Sequence, residues 1–376
     1  MTKMHTLTPS TETSTDLDDL ARLLTPDGER IPDRQLDPWI SDLDTDAMRG
    51  LYRDMAIARR LDIEGVALQR QGQLGLWAPA QGQEAVQVGT ARACRDDDFL
   101  FPSYRELGVQ LVRGAKPADF ILAWRGEMHS TYNPYELSLA TPQIIIGAQA
   151  LHAAGYAMGI QRDGGDQVAV AYFGDGATSQ GDVNEAMVFS SSFQAPMVFV
   201  CSNNQWAISE PVTVQAKFPI AGRAPGFGIP SLRVDGNDVL ACLAAMRWAT
   251  DHARSGKGPA FIEAVTYRMG PHTTSDDPTR YRNAEQVAAW RERDPITRLE
   301  AHLRAQDAFD DAFAAEVESD ADEFTAGMRA AALGAVTRPP IEVLDDVYAE
   351  PHSGIAEQRE RFASYLSGFA DEEAQR

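Results

Sequence analysis

The chain has 376 residues, of which 44% are hydrophobic, and this is enough to bury the core of one large domain or two medium ones. It carries 34 basic and 55 acidic residues, so its formal net charge is −21. Such a charge argues against binding to nucleic acid or to an anionic membrane surface. No apolar run approaches the length of a membrane span. Three dispersed cysteines lack the spacing of a metal site and indicate buried thiols in a reducing compartment.

The N-terminal segment is acidic and unlike a targeting sequence. Residues 1–45 are rich in Thr, Ser, Asp and Pro, and this composition predicts a mostly irregular arm. The segment lacks the apolar core of a signal peptide and the basic character of a transit peptide. We therefore expect a bacterial-type cytoplasmic protein, or the mature form of a processed one.

Two helices and an arginine follow the arm. Residues 46–71 predict a long helix capped by Thr45, and residues 84–94, preceded by the segment QGQ, predict a second. Tyr104 and Arg105 follow a proline and are expected at a helix start. An arginine there can bind two phosphate oxygens, or it can form a surface ion pair.

The next stretch contains a loop and a small-residue helix. Residues 124–135 predict a polar loop that carries His129, and a histidine in such a loop is usually solvated. Residues 147–160 predict a helix dense in alanine and glycine. Its small side chains would let it pack closely against another subunit, although an ordinary buried helix would have the same composition.

Residues 168–208 are the centre of the chain. The apolar run of residues 168–173 ends in the motif GDG, and the run of residues 197–201 ends before two asparagines. Residues 182–193 between them have apolar side chains at helical spacing. A strand, a helix and a strand in this order predict a right-handed unit with parallel strands.

Asp175 and Asn204 lie at the carboxyl ends of these two strands, where open parallel sheets bind their ligands. A carboxylate, an amide oxygen and a nearby backbone carbonyl suit a magnesium ion that carries a diphosphate. The flanking Gly174 and Gly176 would let the backbone approach the phosphates, and the helix after them would direct its N-terminus at the anion. A GDG sequence alone is also a common turn, so the second strand end strengthens this interpretation.

The C-terminal half continues the alternation of strands and helices. Residues 231–234 and 260–267 predict strands, and residues 238–255 predict a helix capped by Asn237. The segment of residues 269–282 is too polar and too rich in proline for a regular element, and it predicts a functional loop. Its His272 is either a surface histidine or a donor of a hydrogen bond or a proton. Residues 294–332 predict two helices, and residues 355–369 a last one.

Several of these segments carry a family resemblance. The GDG motif, followed about two dozen residues later by two asparagines, resembles the thiamine diphosphate motif. The sequences NNQWAIS, SLRVDGNDV and VTYRMGPHTTSDDPTRYR make the chain similar to the alpha subunit of the decarboxylating component of 2-oxo acid dehydrogenase complexes. The resemblance extends from about residue 51 to about residue 295.

The resemblance implies the fold and its organisation. We expect an α/β fold with an open parallel sheet and helices on both faces, the thiamine diphosphate-binding fold. An irregular acidic arm (residues 1–45) would precede the cofactor-binding domain (residues 46–295), and a C-terminal helical segment (residues 296–376) would pack on that domain.

The resemblance also implies the site residues. Thiamine diphosphate would be bound by a set of residues that share the family's motifs: Tyr104, Arg105, Ile146, Gly174, Asp175, Gly176, Ala177, Asn204, Trp206, Ile208 and His272. Magnesium would be held by Asp175, Asn204 and Trp206. His272 and His129 would be catalytic, and Ile146, unless it is simply a core residue, would hold the cofactor's two rings in a bent conformer.

The implied activity is oxidative decarboxylation of a 2-oxo acid with transfer of the acyl group to a lipoyl group. The implied partners are a beta subunit, in an assembly of two alpha and two beta chains, and the lipoyl-bearing acyltransferase component. The beta chain would supply the glutamate that activates the cofactor, so the alpha chain alone would be inactive.

Substrate choice is less closely specified by the resemblance. Leu107 stands where pyruvate-specific relatives tend to have histidine, which favours a branched-chain 2-oxo acid over pyruvate or acetoin. Ser202 and Gln180 replace an arginine and a glutamate of some members, and Thr273 replaces the serine of regulated eukaryotic members. A non-catalytic relative would be a different class of protein, but Asp175, Asn204 and His272 are all present.

Overall fold

The computed structural model describes residue 17 and residues 19–126, 132–336 and 338–369. In these residues the chain forms a central sheet of five parallel strands with helices on both faces, which confirms the predicted fold class. The strands are β1 (Phe99–Phe101), β2 (Ala169–Gly174), β3 (Met197–Asn203), β4 (Trp206–Ala207), β5 (Glu210–Pro211), β6 (Ser231–Asp235) and β7 (Ala260–Val265). The main sheet has the order β1-β2-β3-β7-β6, and β4 and β5 form a separate antiparallel pair.

Thirteen α-helices lie in the described ranges. They are α1 (Thr45–Arg70), α2 (Glu84–Ala93), α3 (Leu107–Val112), α4 (Leu122–Arg125), α5 (Pro134–Leu137), α6 (Ala148–Asp163), α7 (Gly181–Ser192), α8 (Val212–Gln215), α9 (Val239–His252), α10 (Ala284–Arg291), α11 (Pro295–Ala305), α12 (Asp311–Gly334) and α13 (Ser353–Ser367). In that part of the chain, none of the helices is long and apolar enough to span a membrane.

Strands β1 and β2 and the first five residues of β3 are apolar because helices cover both faces of the sheet. Alternate residues of each strand point to opposite faces. On one face, the rings of Phe173, Phe199 and Phe261 pack against α6 and α7. On the other, residues such as Val200 and Ile262 pack against α2 and α9. This double burial explains why the strands appear in the sequence as continuous apolar runs.

The register of the sheet brings the predicted strand ends together. β2 and β3 are parallel neighbours, and Gly174 is paired with Ser202. Asp175 and Asn204 therefore follow neighbouring strands at the same edge of the sheet. β7 lies on the other side of β3, with Val265 opposite Asn203, so the loop that follows β7 begins at this edge as well.

Helix α1 packs beside the sheet domain and begins one residue earlier than predicted. Its cap is Asp44, whose carboxylate accepts a hydrogen bond from the backbone N–H of Ala47 at 2.8 Å, so the prediction of Thr45 as the cap was wrong. Met55 of α1 belongs to the same buried cluster as Leu299 of α11 and Phe313 of α12.

The cap of α9 is Asp238 and not the predicted Asn237. One carboxylate oxygen of Asp238 accepts from the backbone N–H groups of Leu240 and Ala241, at 3.0 and 3.1 Å. The other accepts from the N–H groups of Leu23 and Leu24, both at 2.6 Å. Leu23 and Leu24 are fully buried, so this aspartate ties the N-terminal segment to the sheet domain, although the sequence predicted that segment only as an irregular arm.

Contacts between residues divide the chain into two compact units, residues 1–333 and residues 334–376. The first contains the sheet and helices α1 to α11 with nearly all of α12, and the second contains α13 and a preceding 3₁₀ turn (Pro340–Asp346). The division into an arm, a cofactor-binding domain and a C-terminal segment remains a prediction.

Candidate active site

A cavity of about 250 Å³ opens at the carboxyl ends of β2 and β3. The structure brings together in its lining eleven of the residues that the sequence predicted for the site: Tyr104, Arg105, Ile146, Gly174, Asp175, Gly176, Ala177, Asn204, Trp206, Ile208 and His272. The twelfth, His129, lies outside the described residues. The roles of these residues remain predictions, whereas their convergence on one cavity is a property of the fold.

Asp175 opens a 3₁₀ turn (Asp175–Ser179) directly after β2 and is buried. Burial raises the pKa of its carboxyl to about 6, because the charged form loses hydration. The side-chain N–H of Gln215 donates to one carboxylate oxygen at 3.1 Å. Gly176 follows, and a Cβ atom at this position would lie only 2.8 Å from the Cβ of Ala207, so glycine permits the close approach of this turn to β4.

Asn204 follows β3, and both ends of its side-chain amide are bonded. Its N–H donates to the side-chain oxygen of Gln83 at 3.1 Å, and its oxygen accepts from the backbone N–H of Trp206 at 3.3 Å. Gln205 between them has a φ of 72°, in the left-handed region, and this turn directs the chain from β3 into β4. The backbone oxygen of Trp206, a predicted metal ligand, accepts from Arg268 at 2.8 Å.

Arg105, Arg268 and His272 form a cationic cluster on the cavity wall. A guanidinium N–H of Arg105 donates to Nδ1 of His272 at 3.1 Å and to its backbone oxygen at 3.0 Å. Arg268 lies 3.5 Å from the same Nδ1. Burial, followed by the charges of Arg105 and Arg268, lowers the pKa of His272 to about 3. Burial and the neighbouring Arg105 also lower the pKa of Arg268 to about 10.

This cluster makes His272 a neutral side chain with a defined tautomer. Arginine has no acceptor, so Nδ1 must accept from Arg105 and the imidazole proton resides on Nε2. The loop that carries His272 is held in place, because its backbone N–H donates to Asp276 at 2.8 Å and the hydroxyl of Tyr281 bonds the same carboxylate. Two buried guanidinium groups beside a neutral imidazole favour the binding of an anion.

Four polar atoms of the cavity lining are buried without a hydrogen-bond partner among the described residues. They are the side-chain oxygens of Gln149 and Ser202, Nε1 of Trp206 and Nε of Arg268. Buried polar groups in folded proteins are ordinarily paired. The cavity lining itself includes donors and acceptors, among them Arg105, Arg268 and Asp175, so the cavity suits a polar ligand that carries both.

The rim of the cavity is apolar and exposed. Ile145, Ile146 and Ile208 line the cavity, and their side chains are 71%, 41% and 56% exposed. Ile208 has a φ of 57°, which is unusual for a β-branched residue, and its backbone oxygen accepts from Arg268 at 2.8 Å. The ring of Tyr104 stands edge-on to the imidazole of His272, with 6.4 Å between ring centroids.

A second cavity of about 420 Å³ adjoins the first and shares Tyr104, Gln143 and Ile145 with it. Its lining is mainly apolar and includes Leu107, Phe120, Ala123, Trp124, Tyr132, Pro142 and Ile144. The sequence predicted a difference at Leu107 but not this cavity, because its walls come from segments between Tyr104 and Ile145 that lie up to 41 residues apart in the chain.

Sequence reasoning missed several polar residues of the first cavity, among them Gln83, Gln149 and Arg268. Gln83 closes the QGQ segment before α2, and Arg268 lies within the quoted motif VTYRMGPH, so both had a signal in the sequence. Gln149 lies in the first turn of α6, where its amide donates to the backbone oxygen of Tyr172 at 2.7 Å. No local pattern distinguishes it from a surface glutamine.

Comparison with known proteins gives one family and several close relatives. The family model described as "Dehydrogenase E1 component" matches residues 52–331. The chain is 47% identical over 347 residues to a 3-methyl-2-oxobutanoate dehydrogenase subunit alpha of Mycobacterium tuberculosis (strain H37Rv), covering 92% of this chain and 94% of the relative. It is 41% identical over 284 residues to a pyruvate dehydrogenase E1 component subunit alpha of Bacillus subtilis, covering 75% and 76%. A subunit of the same description from Acholeplasma laidlawii is 38% identical over 322 residues, covering 85% and 93%.

Proposed function

This chain belongs to the dehydrogenase E1 component family, and on that premise we propose that it is the alpha subunit of the decarboxylating component of a bacterial 2-oxo acid dehydrogenase complex. The observation that carries the proposal is one cavity that joins two strand-end metal-ligand candidates, Asp175 and Asn204, to a buried cationic cluster. A cation with a diphosphate needs both halves of such a site. The family resemblance inferred from the sequence motifs agrees with the family match.

The cofactor implied by the family is thiamine diphosphate, and the buried guanidinium groups of Arg105 and Arg268, in one cavity with the carboxylate of Asp175, fit a diphosphate that carries a cation. We propose that the side-chain oxygens of Asp175 and Asn204 and the backbone oxygen of Trp206 would hold Mg²⁺. Arg105 and His272 would bind the diphosphate. When bound, the cofactor supplies the carbon nucleophile and the electron sink that decarboxylation of a 2-oxo acid requires.

His272 would act as a neutral donor. Its Nδ1 is committed to Arg105, so Nε2–H is the group that can donate a hydrogen bond or a proton. The low pKa of His272 keeps this tautomer over the whole physiological pH range. Asp276 and Tyr281 keep the loop in place, so His272 can donate without a large rearrangement of its backbone.

A beta subunit would complete the site. The exposed apolar rim of Ile145, Ile146 and Ile208 is the kind of surface that a partner chain buries, and Val214 and Phe218, in the segment that follows Ile208 in the chain, are also 62% and 64% exposed. The end of α7 offers a further surface, on which the exposed rings of Phe189 and Phe193 stack on each other. These surfaces support association with a partner chain, as do the relatives' names, which describe alpha subunits. We propose an assembly of two alpha and two beta chains in the bacterial cytoplasm that passes its acyl group to a lipoyl-bearing acyltransferase.

The second cavity supports a branched aliphatic substrate. It adjoins the candidate site and has an apolar lining, so it can accept a side chain larger than the methyl group of pyruvate. Leu107, which is buried in its wall, contributes methyl groups where histidine would present a polar ring. We therefore propose 3-methyl-2-oxobutanoate and its homologues as substrates, with pyruvate as the alternative that several relatives' names support.

The proposal is tested with the alpha chain reconstituted with its beta subunit. Thiamine diphosphate with Mg²⁺ should raise the melting temperature of the assembly, and an Asp175→Ala variant should lose this effect. Decarboxylation should require both chains. An unchanged melting temperature, or full turnover by the alpha chain alone, would contradict the proposal.

The substrate is tested by comparing kcat/KM for 3-methyl-2-oxobutanoate and pyruvate. Leu107→Phe should narrow the second cavity and lower kcat/KM for the branched substrate by roughly 10- to 200-fold, the range that a few methyl groups govern. The value for pyruvate should change much less. Leu107→Met is the control, because it preserves the volume of the side chain. An equal loss for both substrates would show that the cavity does not select between them.

A further inference from the structure

We propose that Gln83 is a positioning residue that fixes the amide of Asn204 with its oxygen available to a cation and its nitrogen turned away. The inference rests on the proposed function, because it concerns the cation that the strand ends would hold. Gln83 lies outside the strand-end motif, 121 residues from Asn204 in the sequence. It lines the same cavity and is 1% exposed.

A chain of three hydrogen bonds determines the orientation of both amides. The side-chain N–H of Gln83 donates to the backbone oxygen of Ala80 at 3.5 Å, and its oxygen accepts from the N–H of Asn204 at 3.1 Å. The oxygen of Asn204 in turn accepts from the backbone N–H of Trp206 at 3.3 Å. The backbone oxygen of Ala80 can only accept a hydrogen bond, and the backbone N–H of Trp206 can only donate one. Reversing the amide of Gln83 would place two acceptors against each other, and reversing the amide of Asn204 would place two donors against each other.

This orientation matters because only one end of an amide binds a hard cation. The oxygen of Asn204 keeps a second lone pair beyond its contact with Trp206, whereas its nitrogen has none to offer. A reversed amide would present N–H groups to the cation and would also oppose the N–H of Trp206. Gln83 therefore acts on the metal through Asn204 and does not need to touch it.

Close packing and hydrogen bonds fix the backbone around Gln83, so that its side chain can hold the amide of Asn204 in one orientation. Gly82 has a φ of 94°, and a Cβ atom there would lie 2.2 Å from the backbone oxygen of Tyr267. The backbone oxygen of Gly82 accepts from Thr266 at 2.6 Å, and its N–H donates to Glu84 at 3.0 Å. Gln83 is the cap residue of α2, so its position follows from the packing of that helix. The QGQ segment before α2 is thereby connected to the strand-end site.

The matched control is Gln87, which lies one turn further along α2 and is also 1% exposed. Its amide donates to the backbone oxygen of Arg105 at 3.0 Å and accepts from the N–H of Gly108 at 2.8 Å. It makes as many hydrogen bonds as Gln83 but none with Asp175, Asn204 or Trp206 in the described part of the chain. A purely structural cost of losing a buried amide should therefore appear in variants of both glutamines.

The experiment measures binding of Mn²⁺, in the presence of saturating thiamine diphosphate, to the alpha–beta assembly by electron paramagnetic resonance. Gln83→Met removes the acceptor and preserves volume, and it should weaken Mn²⁺ binding by roughly 10- to 100-fold, the usual effect of losing a group that orients a metal ligand. Gln83→Glu loses only the long contact with the backbone oxygen of Ala80, at 3.5 Å, and retains an acceptor for the N–H of Asn204, so it should bind Mn²⁺ within about threefold of wild type. Gln87→Met should lose stability in urea but bind Mn²⁺ normally at saturating thiamine diphosphate, because it reaches the site only through the backbone of Arg105, on the diphosphate side.

Two results would overturn the assignment: Mn²⁺ affinity of Gln83→Met equal to that of wild type, or equal losses in the Gln83→Met and Gln83→Glu variants. The second would mean that any change at this buried position disturbs the site, whatever its hydrogen bonding. A wild-type assembly that binds no Mn²⁺ would instead refute the proposed function, so the two failures are distinct.

Discussion

Gly176 lies so close to Ala207 that a larger side chain at position 176 is predicted to displace one wall of the site. In Gly176→Ala the new Cβ would lie 2.8 Å from the Cβ of Ala207, about 0.6 Å short of the 3.4 Å at which ordinary contacts begin. The obstacle is a methyl group on a backbone strand, so no flexible side chain can rotate away. Either the turn that carries Asp175 or strand β4, which carries Trp206, must move.

The size of the effect follows from that displacement. Overpacking by one methyl group typically costs about 1–3 kcal/mol. Metal-ligand distances tolerate changes of only about 0.2 Å, so a shift of 0.6 Å in either wall would separate Asp175 from the backbone oxygen of Trp206. If the strain is relieved by this separation, the affinity for thiamine diphosphate with Mg²⁺ should fall by roughly 5- to 150-fold, since each 1.4 kcal/mol is tenfold.

Calorimetric titration of the alpha–beta assembly measures this loss, with two variants that test its cause. Gly181→Ala is the control, because a Cβ atom there meets nothing within 4 Å and glycine at the start of α7 is not required. It should bind the cofactor normally and be slightly more stable. Gly176→Ala combined with Ala207→Gly removes the opposing methyl group and should recover most of the affinity. Normal binding by Gly176→Ala, or no recovery in the double variant, would refute the reasoning.

Two further predictions concern His272 and Asp238. In the cofactor-free chain, ¹⁵N NMR should find His272 as the neutral Nε2–H tautomer at pH 5.5, and Arg105→Met should raise its pKa, because one of the charges that lowers it is removed. The folded pKa of about 3 lies below the ordinary value of 6.5, so the unfolded chain gains a proton first and stability is lost as pH falls from about 6.5 towards 3. Replacing His272 by Gln should remove that part of the pH dependence in urea titrations, and an unchanged profile would contradict it. Asp238→Ala should destabilise the chain by about 2–4 kcal/mol in the same assay, because it removes a helix cap and leaves two buried N–H groups unpaired. A loss no larger than that of an exposed cap would show that the N-terminal segment does not depend on it.

The sheet and its ligand-binding edge could be predicted because the residues that determine them lie close together in the sequence. Strands β2 and β3 are buried on both faces, so they appear as continuous apolar runs that end at polar residues. Parallel pairing then requires Asp175 and Asn204 to lie at one edge, which needs no knowledge of distant contacts. The polar, proline-bearing composition of residues 269–282 likewise predicted the loop that the structure shows, in which a 3₁₀ turn (Pro278–Arg280) is the one regular element.

Helix starts were misplaced by one residue where two capping residues adjoin. Asp44 and Thr45, and likewise Asn237 and Asp238, all have side-chain oxygens that can cap a helix. Local propensity does not separate them. For α9 the choice is decided by Leu23 and Leu24, whose N–H groups bond the second oxygen of Asp238 from more than 200 residues away.

The remaining features depend on contacts that are distant in sequence. Gln83 meets Asn204 across 121 residues, and Arg105 meets His272 across 167. The sequence predicted Arg105 as a phosphate ligand. The lowering of the pKa of His272 by the charge of Arg105 depends on a contact between the two side chains that no sequence motif reveals. The second cavity is likewise enclosed by α3, α4 and the segment before α6, and it has no single sequence signature.

The cationic cluster is buried in a chain whose net charge is strongly negative, and the cost of burying its charges explains why the site would bind an anionic ligand. In a protein of net charge −21, Arg105 and Arg268 are buried side by side, and each disfavours the charge of the other. The nearby buried carboxyl of Asp175, whose pKa burial raises to about 6, is largely ionised at neutral pH and carries a desolvation cost of its own. A bound diphosphate would neutralise both guanidinium groups, and a cation would neutralise Asp175. The bound cation and the bound diphosphate would also attract each other within one cavity, so each should strengthen the binding of the other and the two should bind cooperatively. Inorganic diphosphate should accordingly bind the alpha–beta assembly more tightly when Mg²⁺ is present than when it is absent, after correction for the Mg²⁺–diphosphate complex in solution, and equal affinities would show that the two halves of the site act independently.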